Sequence, residues 1–188
     1  MESLRLYLRS LSEISDTSWE ILSTTLHMVT FARTTCLLKS GQVCNSLFFI
    51  SKGYCRAFYD KDGQEVNTSF FFEKDIATNL NSYATDQPSA YTIQACEDVT
   101  TIQFDKKKLL KVCEQDPQIA LLGRKCLQYI AAKEEKHAAI YKLMTAQERY
   151  EYIEDLYPHI IQRVSLTHLS SYLGIARETL SRIRSRRM

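Results

Sequence analysis

The C-terminal segment carries the pattern that most narrows what this chain can fold into. It reads Val164-Ser165-Leu166-Thr167-His168-Leu169-Ser170-Ser171-Tyr172-Leu173-Gly174-Ile175-Ala176-Arg177-Glu178-Thr179-Leu180-Ser181-Arg182-Ile183-Arg184. Ser165 offers the hydroxyl of a helix N-cap. Leu169 and Leu173 lie one turn apart on one helical face, and small Ser170 stands where two crossing helices come closest. Gly174 follows, a residue suited to a tight turn after a helix. Ile175, Leu180 and Ile183 then supply the inner face of a second helix. These are the steric demands of a helix-turn-helix.

What the second helix leaves outside gives this motif its chemistry. Arg177, Glu178, Ser181 and Arg182 point away from Leu180 and Ile183. The second helix of such a motif enters the major groove of double-stranded DNA with its N-terminal residues at the base edges. Arginine there binds guanine in bidentate fashion, and glutamate accepts from cytosine. Thr179 is placed for a phosphate, and Arg184, Arg186 and Arg187 add sequence-blind phosphate contacts. Charge agrees: residues 159–188 carry a net +5 and the first 158 residues a net −3, although the whole chain of 188 residues is only +2. A basic tail on a mildly acidic body suits a polyanion.

Residues 29–104 read as β structure. Short apolar runs at Cys36–Leu38, Leu47–Ile50, Tyr54–Tyr59, Val66–Phe72, Tyr91–Ala95 and Val99–Phe104 are separated by turn residues. Asp60-Lys61-Asp62-Gly63 is a hairpin turn between two of them. Many short strands at this spacing predict an antiparallel jelly roll, so the fold class is α+β. Residues 1–28 read as helical, with Ser15-Asp16 capping a helix marked by Trp19, Leu22 and Leu26.

From Lys106 onward the pattern is helical. Lys106–Cys113 makes a short helix, and a long one runs from Pro117 to about Leu143. Ile119, Leu122, Cys126, Tyr129/Ile130, Lys133, His137, Ile140 and Met144 recur at three- and four-residue steps, a coiled-coil-like stripe interrupted at Lys133 and His137. The stripe serves either a dimer seam or packing on the chain's own sheet. The helix's length, ~40 Å, favours the seam and a homodimer. Thr145-Ala146-Gln147-Glu148 is a capping box opening a helix that Pro158 stops, with Tyr150, Ile153 and Leu156/Tyr157 on one side. The expected domains are therefore 1–116, 117–144 and 145–188.

Six cysteines (36, 44, 55, 96, 113 and 126) show no CxxC and no nearby histidine, so they predict buried thiols and no metal or iron–sulfur cofactor. No apolar run reaches the ~20 residues of a membrane span, and charges interrupt any signal core at the N-terminus. The expected compartment is the cytoplasm. No Ser/His/Asp or Cys/His array and no phosphate-cradling glycine loop is present, which argues against an enzyme.

With these motifs in hand, the chain resembles the catabolite activator and fumarate–nitrate regulator (Crp/Fnr) family over roughly residues 10–187. Arg177-Glu178-Thr179-Leu180-Ser181-Arg182 looks like that family's recognition helix, which implies that Arg177, Glu178 and Arg182 read bases. The β zone resembles its cyclic-nucleotide-binding jelly roll, and Pro117–Leu143 its dimerisation helix. The resemblance implies a ligand pocket around Asn79, Asn81, Ser82, Ser89 and Tyr91, with Glu134 on the long helix.

The chain departs from the family at that pocket. Cyclic-nucleotide members hold the ribose with a glycine and glutamate, and the cyclic phosphate with an arginine followed by a hydroxyl residue. Here the stretch is Ala77-Thr78-Asn79-Leu80-Asn81-Ser82-Tyr83…Gln87-Pro88-Ser89-Ala90. Asn79 (or Thr78, with a one-residue gap) replaces the glutamate, Pro88 replaces the arginine, and only Ser89 survives. No Lys or Arg occurs between Lys74 and Lys106. A phosphate without its cation loses ~1.5–3 kcal/mol, about ten- to a hundredfold in affinity. Ordinary cyclic AMP binding is therefore expected to be weak or lost, leaving an unknown small-molecule effector or none. The N-terminal cysteine cluster of the oxygen-sensing branch is missing, and residues 28–136 hold no histidine for haem. Five residues follow Ile183, which leaves no room for the β-wing of many relatives. The competing reading is a ligand sensor that acts through protein partners and carries a non-functional DNA-binding tail.

Overall fold

A computed structural model describes residues 1–185. In chain order the elements are α1 (Glu2–Leu11), α2 (Asp16–Ser23), β1 (Leu26–Phe31), β2 (Cys36–Leu38), β3 (Ser46–Lys52), β4 (Cys55–Lys61), β5 (Gln64–Phe71), β6 (Ile76–Ala77), α3 (Leu80–Thr85), β7 (Thr92–Ala95), β8 (Val99–Asp105), α4 (Lys106–Gln115) and α5 (Pro117–Leu143). Then follow α6 (Ala146–Leu156), α7 (Pro158–Arg163), α8 (Leu166–Leu173) and α9 (Arg177–Ser185). The chain forms two compact units. One comprises residues 1–57 and 70–132. The other comprises residues 58–69, the outer part of the β4–β5 hairpin, together with residues 133 onward.

The strands form two four-stranded sheets ordered β1-β8-β3-β6 and β2-β7-β4-β5. Neighbours in space are mostly not neighbours in sequence, as a jelly roll requires. Strand β8 is the spine of its sheet. It runs antiparallel to β1, with Leu26 opposite Phe104, and antiparallel to β3, with Phe49 opposite Ile102. Ser46–Ile50 of β3 is buried at every position, because both faces of this strand are covered. Tyr7 of α1 packs its ring 5.4 Å from that of Phe49.

The packing of α5 decides between the two readings of its stripe. Ile119, Leu122, Cys126 and Ile130 are 1–8% exposed and belong to the same core cluster as Phe49, Ile50 and Ile102. This part of the stripe packs on the chain's own sheet and is no dimer seam. The sequence could not separate the two because an apolar stripe looks the same whether a sheet or a second helix covers it. The opposite side of α5 is exposed, including Leu121 at 42%.

Several boundaries also differ from expectation. The N-terminal helical zone is two helices, and β structure begins at Leu26. Leu26 lies four residues after Leu22 and so imitates a helical repeat, yet it is the first residue of β1. Pro158 ends α6 and, one position on, opens α7 as its first residue. Leu156 and Tyr157 are exposed, so only Tyr150 and Ile153 of the expected face are buried. The capping box is formed: Thr145 N donates to Glu148 Oε2 at 2.7 Å, and Glu148 N to Thr145 Oγ1 at 3.3 Å.

Candidate nucleic-acid interface and ligand cassette

Ser165 caps α8 by accepting from His168 N at 3.2 Å. The helix ends at Gly174, whose φ of +69° and ψ of +35° place it in the left-handed region that favours glycine. The amides of Gly174 and Ile175 then close the turn onto α8 carbonyls, Ile175 N donating to Ser170 O at 3.0 Å. Leu169, Leu173 and Leu180 are fully buried, and Ser170 is buried between them. Ile183 is only half-buried, so it rims the helix pair where an inner position was expected.

With Leu180 turned inward, Arg177, Glu178, Ser181 and Arg182 are exposed, while Thr179 and Arg184 are half-buried. Arg182 Nε makes a long contact to Glu178 O at 3.4 Å. No ion pair involves these arginines among the described residues. Arg186 and Arg187 lie outside the described residues.

The other side of α8 is tied down within the second unit. Ser171 Oγ accepts from Asn67 N and donates to Glu65 O, both at 3.0 Å, so the β4–β5 hairpin holds this helix. Tyr172, one residue on, stacks on His137 of α5 with ring centroids 5.4 Å apart, and the two side chains share a hydrogen bond. Tyr141 donates its hydroxyl proton to Tyr172 O. Burial, helped by the positive charge of Lys133, depresses the His137 pKa from 6.5 to about 4, which keeps the ring neutral. His137 thus packs against Tyr172 and Tyr141 of its own chain. Sequence reading missed this cluster because its partners lie 31 and 35 residues apart.

The cassette in the first unit is built differently. Asn79 caps α3: its Oδ1 accepts from Ser82 N at 3.0 Å, and its Nδ2 donates to Ser89 Oγ at 2.8 Å. Ser89 Oγ donates to Tyr91 O at 2.7 Å. Its backbone is paired as well, to Gln42 O and Gly41 N. Ser82 Oγ accepts from Cys44 N at 2.9 Å and donates to Gln87 O. The Tyr91 hydroxyl donates to Thr78 O at 3.1 Å. Asn79, Ser82, Ser89 and Tyr91 are thus brought together, and they bond to each other and to nearby backbone. Asn81 is exposed on α3, and Glu134 is an exposed residue of the second unit.

A buried cation on β4 escaped the sequence reading. Arg56 of β4 is 5% exposed, and its Nε and Nη2 lie 3.2 and 2.7 Å from Gln94 Oε1 on β7. Its charge also bears on Cys96, whose thiol burial pushes up to about 11 against the arginine's pull. The available signal was an arginine inside the buried run Cys55-Arg56-Ala57-Phe58. All six cysteines are free thiols. Among the described residues no cluster of three metal-ligating side chains occurs, and no helix is long and apolar enough to cross a membrane.

Residues 28–116 match the family described as Cyclic nucleotide-binding domain. Solved structures extend the likeness beyond that segment. FixK2 from Bradyrhizobium japonicum matches with a TM-score of 0.67 at 19% identity, over 86% of this chain and 83% of that one. The c-di-GMP responsive global regulator CLP from Xanthomonas campestris matches with a TM-score of 0.67 at 13% identity, over 92% and 91%. The catabolite activator protein of Thermus thermophilus gives 0.56 at 14% identity, over 92% and 83%. A search of curated proteins finds no significant match. Residues 28–116 are thus similar to a cyclic nucleotide-binding domain. Over nearly its whole length, the chain has the fold of the Crp/Fnr regulators.

Proposed function

We propose that the protein is a homodimeric transcription regulator that reads a pseudo-palindromic site on double-stranded DNA through α9. One observation carries this reading: Leu180 is fully buried on one side of α9, and Arg177, Glu178, Ser181 and Arg182 stand exposed on the other. A helix so anchored presents a rigid polar face, and arginine and glutamate at its start suit guanine and cytosine edges. Thr179, Arg184, Arg186 and Arg187 serve phosphates. The two recognition helices of a dimer would stand about one DNA turn, ~34 Å, apart. Since the inner stripe of α5 is already covered, the dimer contact uses the exposed side, where Leu121, Gln128, Ala132, Glu135 and Ala139 share a face.

Cyclic AMP is not bound in the usual way. Pro88 offers no charge, and the polar groups of Asn79, Ser82 and Ser89 are occupied by one another. The protein is a cytoplasmic regulator without catalytic activity.

Selection of bound duplexes from a random pool tests the reading. A palindromic consensus with half-sites one turn apart is expected, with affinity falling steeply as salt rises. Arg177→Ala should relax sequence choice at one base pair and cost ~1–3 kcal/mol at the selected site, whereas Arg184→Ala should weaken all sites alike. A pool recovered without sequence preference would overturn it.

A further inference from the structure

The first unit holds a recess whose lining reaches Tyr83 of α3, next to Ser82 of the cassette. It lies between the outer face of the β1-β8-β3-β6 sheet and the helices α4 and α5. Its volume is about 280 Å³ and its lining is almost wholly apolar, from Leu47 and Ile76 on the strands to Leu110 and Cys113 on α4. Dry apolar cavities of ~150 Å³ already take up benzene. A recess of this size and lining has room for an apolar ligand.

Gly123 of α5 lines this recess. It sits in the interior of a 27-residue helix, where glycine costs ~1 kcal/mol relative to alanine. No turn requires it, because its φ is not positive. No close approach requires it either, because an added Cβ would meet only Cys113 Sγ at 3.9 Å. What the glycine does is leave the recess open at a point where any larger residue would enter it.

The next residue, Arg124, also lines the recess and is exposed. It makes no ion pair among the described residues. Its charge reaches the interior, where it opposes the upward push of burial on the Cys113 thiol.

We infer that this recess is a binding site for a small apolar carboxylate of medium-chain fatty-acid size, its hydrocarbon part beside Gly123 and its carboxylate at Arg124. An apolar body with one anionic end matches an apolar lining that includes one exposed arginine. The site stands apart from DNA reading and is measured without DNA.

Isothermal titration of the full chain with octanoate, and with 1-octanol as its uncharged counterpart, tests the inference. Saturable binding of both is expected. Gly123→Leu should weaken both at least tenfold while keeping or raising the thermal midpoint, since leucine fills the void and favours helix. Arg124→Gln should weaken octanoate about three- to fivefold, the scale of an exposed ion pair, and leave 1-octanol unchanged. The inference fails if neither probe saturates, if folded Gly123→Leu binds octanoate like the parent, or if Arg124→Gln affects both probes equally. It also fails if sedimentation shows that Gly123→Leu alters self-association while the probes do not bind, which would make the recess a contact between copies of the chain.

Discussion

The cassette of the first unit and the second helix of the helix-turn-helix hold similar polar side chains to opposite ends. Around Asn79, Ser82, Ser89 and Tyr91, nearly every donor and acceptor has found a partner within fifteen residues or on the adjoining backbone. Along α9, Arg177, Glu178 and Ser181 face solvent, and Arg182 makes one long contact to Glu178 O. Buried polar groups must be satisfied wherever they are, so a closed network reports only that the loop is well built. Charged groups held on a rigid, packed helix and left unpaired are available to a partner. Function is therefore read from polar groups that are anchored but unspent, and the cassette fails that test where α9 passes it.

The sharpest way to break this comparison is to remove the anchor and leave the exposed face untouched. Leu180→Ala empties a fully buried position and should cost about 2–5 kcal/mol in urea-induced unfolding of the second unit. Duplex binding in a mobility shift should fall with it, although no exposed residue has changed. Undiminished binding would mean that packing does not aim α9.

The converse change attacks the closed network. Asn79→Ala removes the α3 cap and the donor to Ser89 together, and should cost about 1–3 kcal/mol in thermal unfolding of the first unit. Duplex affinity should hold, and saturating cyclic AMP should shift the midpoint of neither form. A clear upward shift with cyclic AMP in the parent would show that the cassette's polar groups open to a ligand after all.

How much of this was legible in the sequence follows the same division. The helix-turn-helix was, because its signals are local: a cap, two leucines one turn apart, a glycine and an outward arginine face within about twenty residues. The six apolar runs of the β zone all became strands for the same reason. Other features depend on partners far along the chain. Leu26 is a strand residue only because Phe104 lies opposite it. The α5 stripe is a core stripe only because a sheet arrives beneath it. Asn79 looked like a lost ligand residue, and its capping role appears once Ser82 is seen three positions on in a helix too short to announce itself. Arg56 was passed over because one charge in an apolar run does not say which face it takes.

His137 sharpens the comparison from inside the second unit, where a polar group is spent internally as in the cassette. Its folded pKa of about 4 lies below its ordinary 6.5, so the folded protein binds fewer protons than the unfolded chain between those values. Stability from this site is complete above about pH 6.5 and is lost as pH falls toward 4. Because the ring is only half-buried, the expected loss is about 1–2 kcal/mol, below what the whole shift would imply. Thermal midpoints of the parent should drop across this window, and His137→Phe should flatten that part of the profile. An unchanged slope in His137→Phe would assign the acid sensitivity to other groups.

The smallest effect separates two glycines in opposite conformations. Gly174 adopts a left-handed conformation, and an added Cβ there would meet nothing within 4 Å. Gly174→Ala should therefore cost about 1 kcal/mol through the backbone alone. Gly123 lies inside α5 without a positive φ, so Gly123→Ala should instead stabilise by about 1 kcal/mol. Urea midpoints of the two variants should move in opposite directions from the parent. A neutral Gly174→Ala would show that the turn can reach another conformation without disturbing Leu173 and Leu180, and the rigidity on which the reading of α9 rests would then be weaker than its packing suggests.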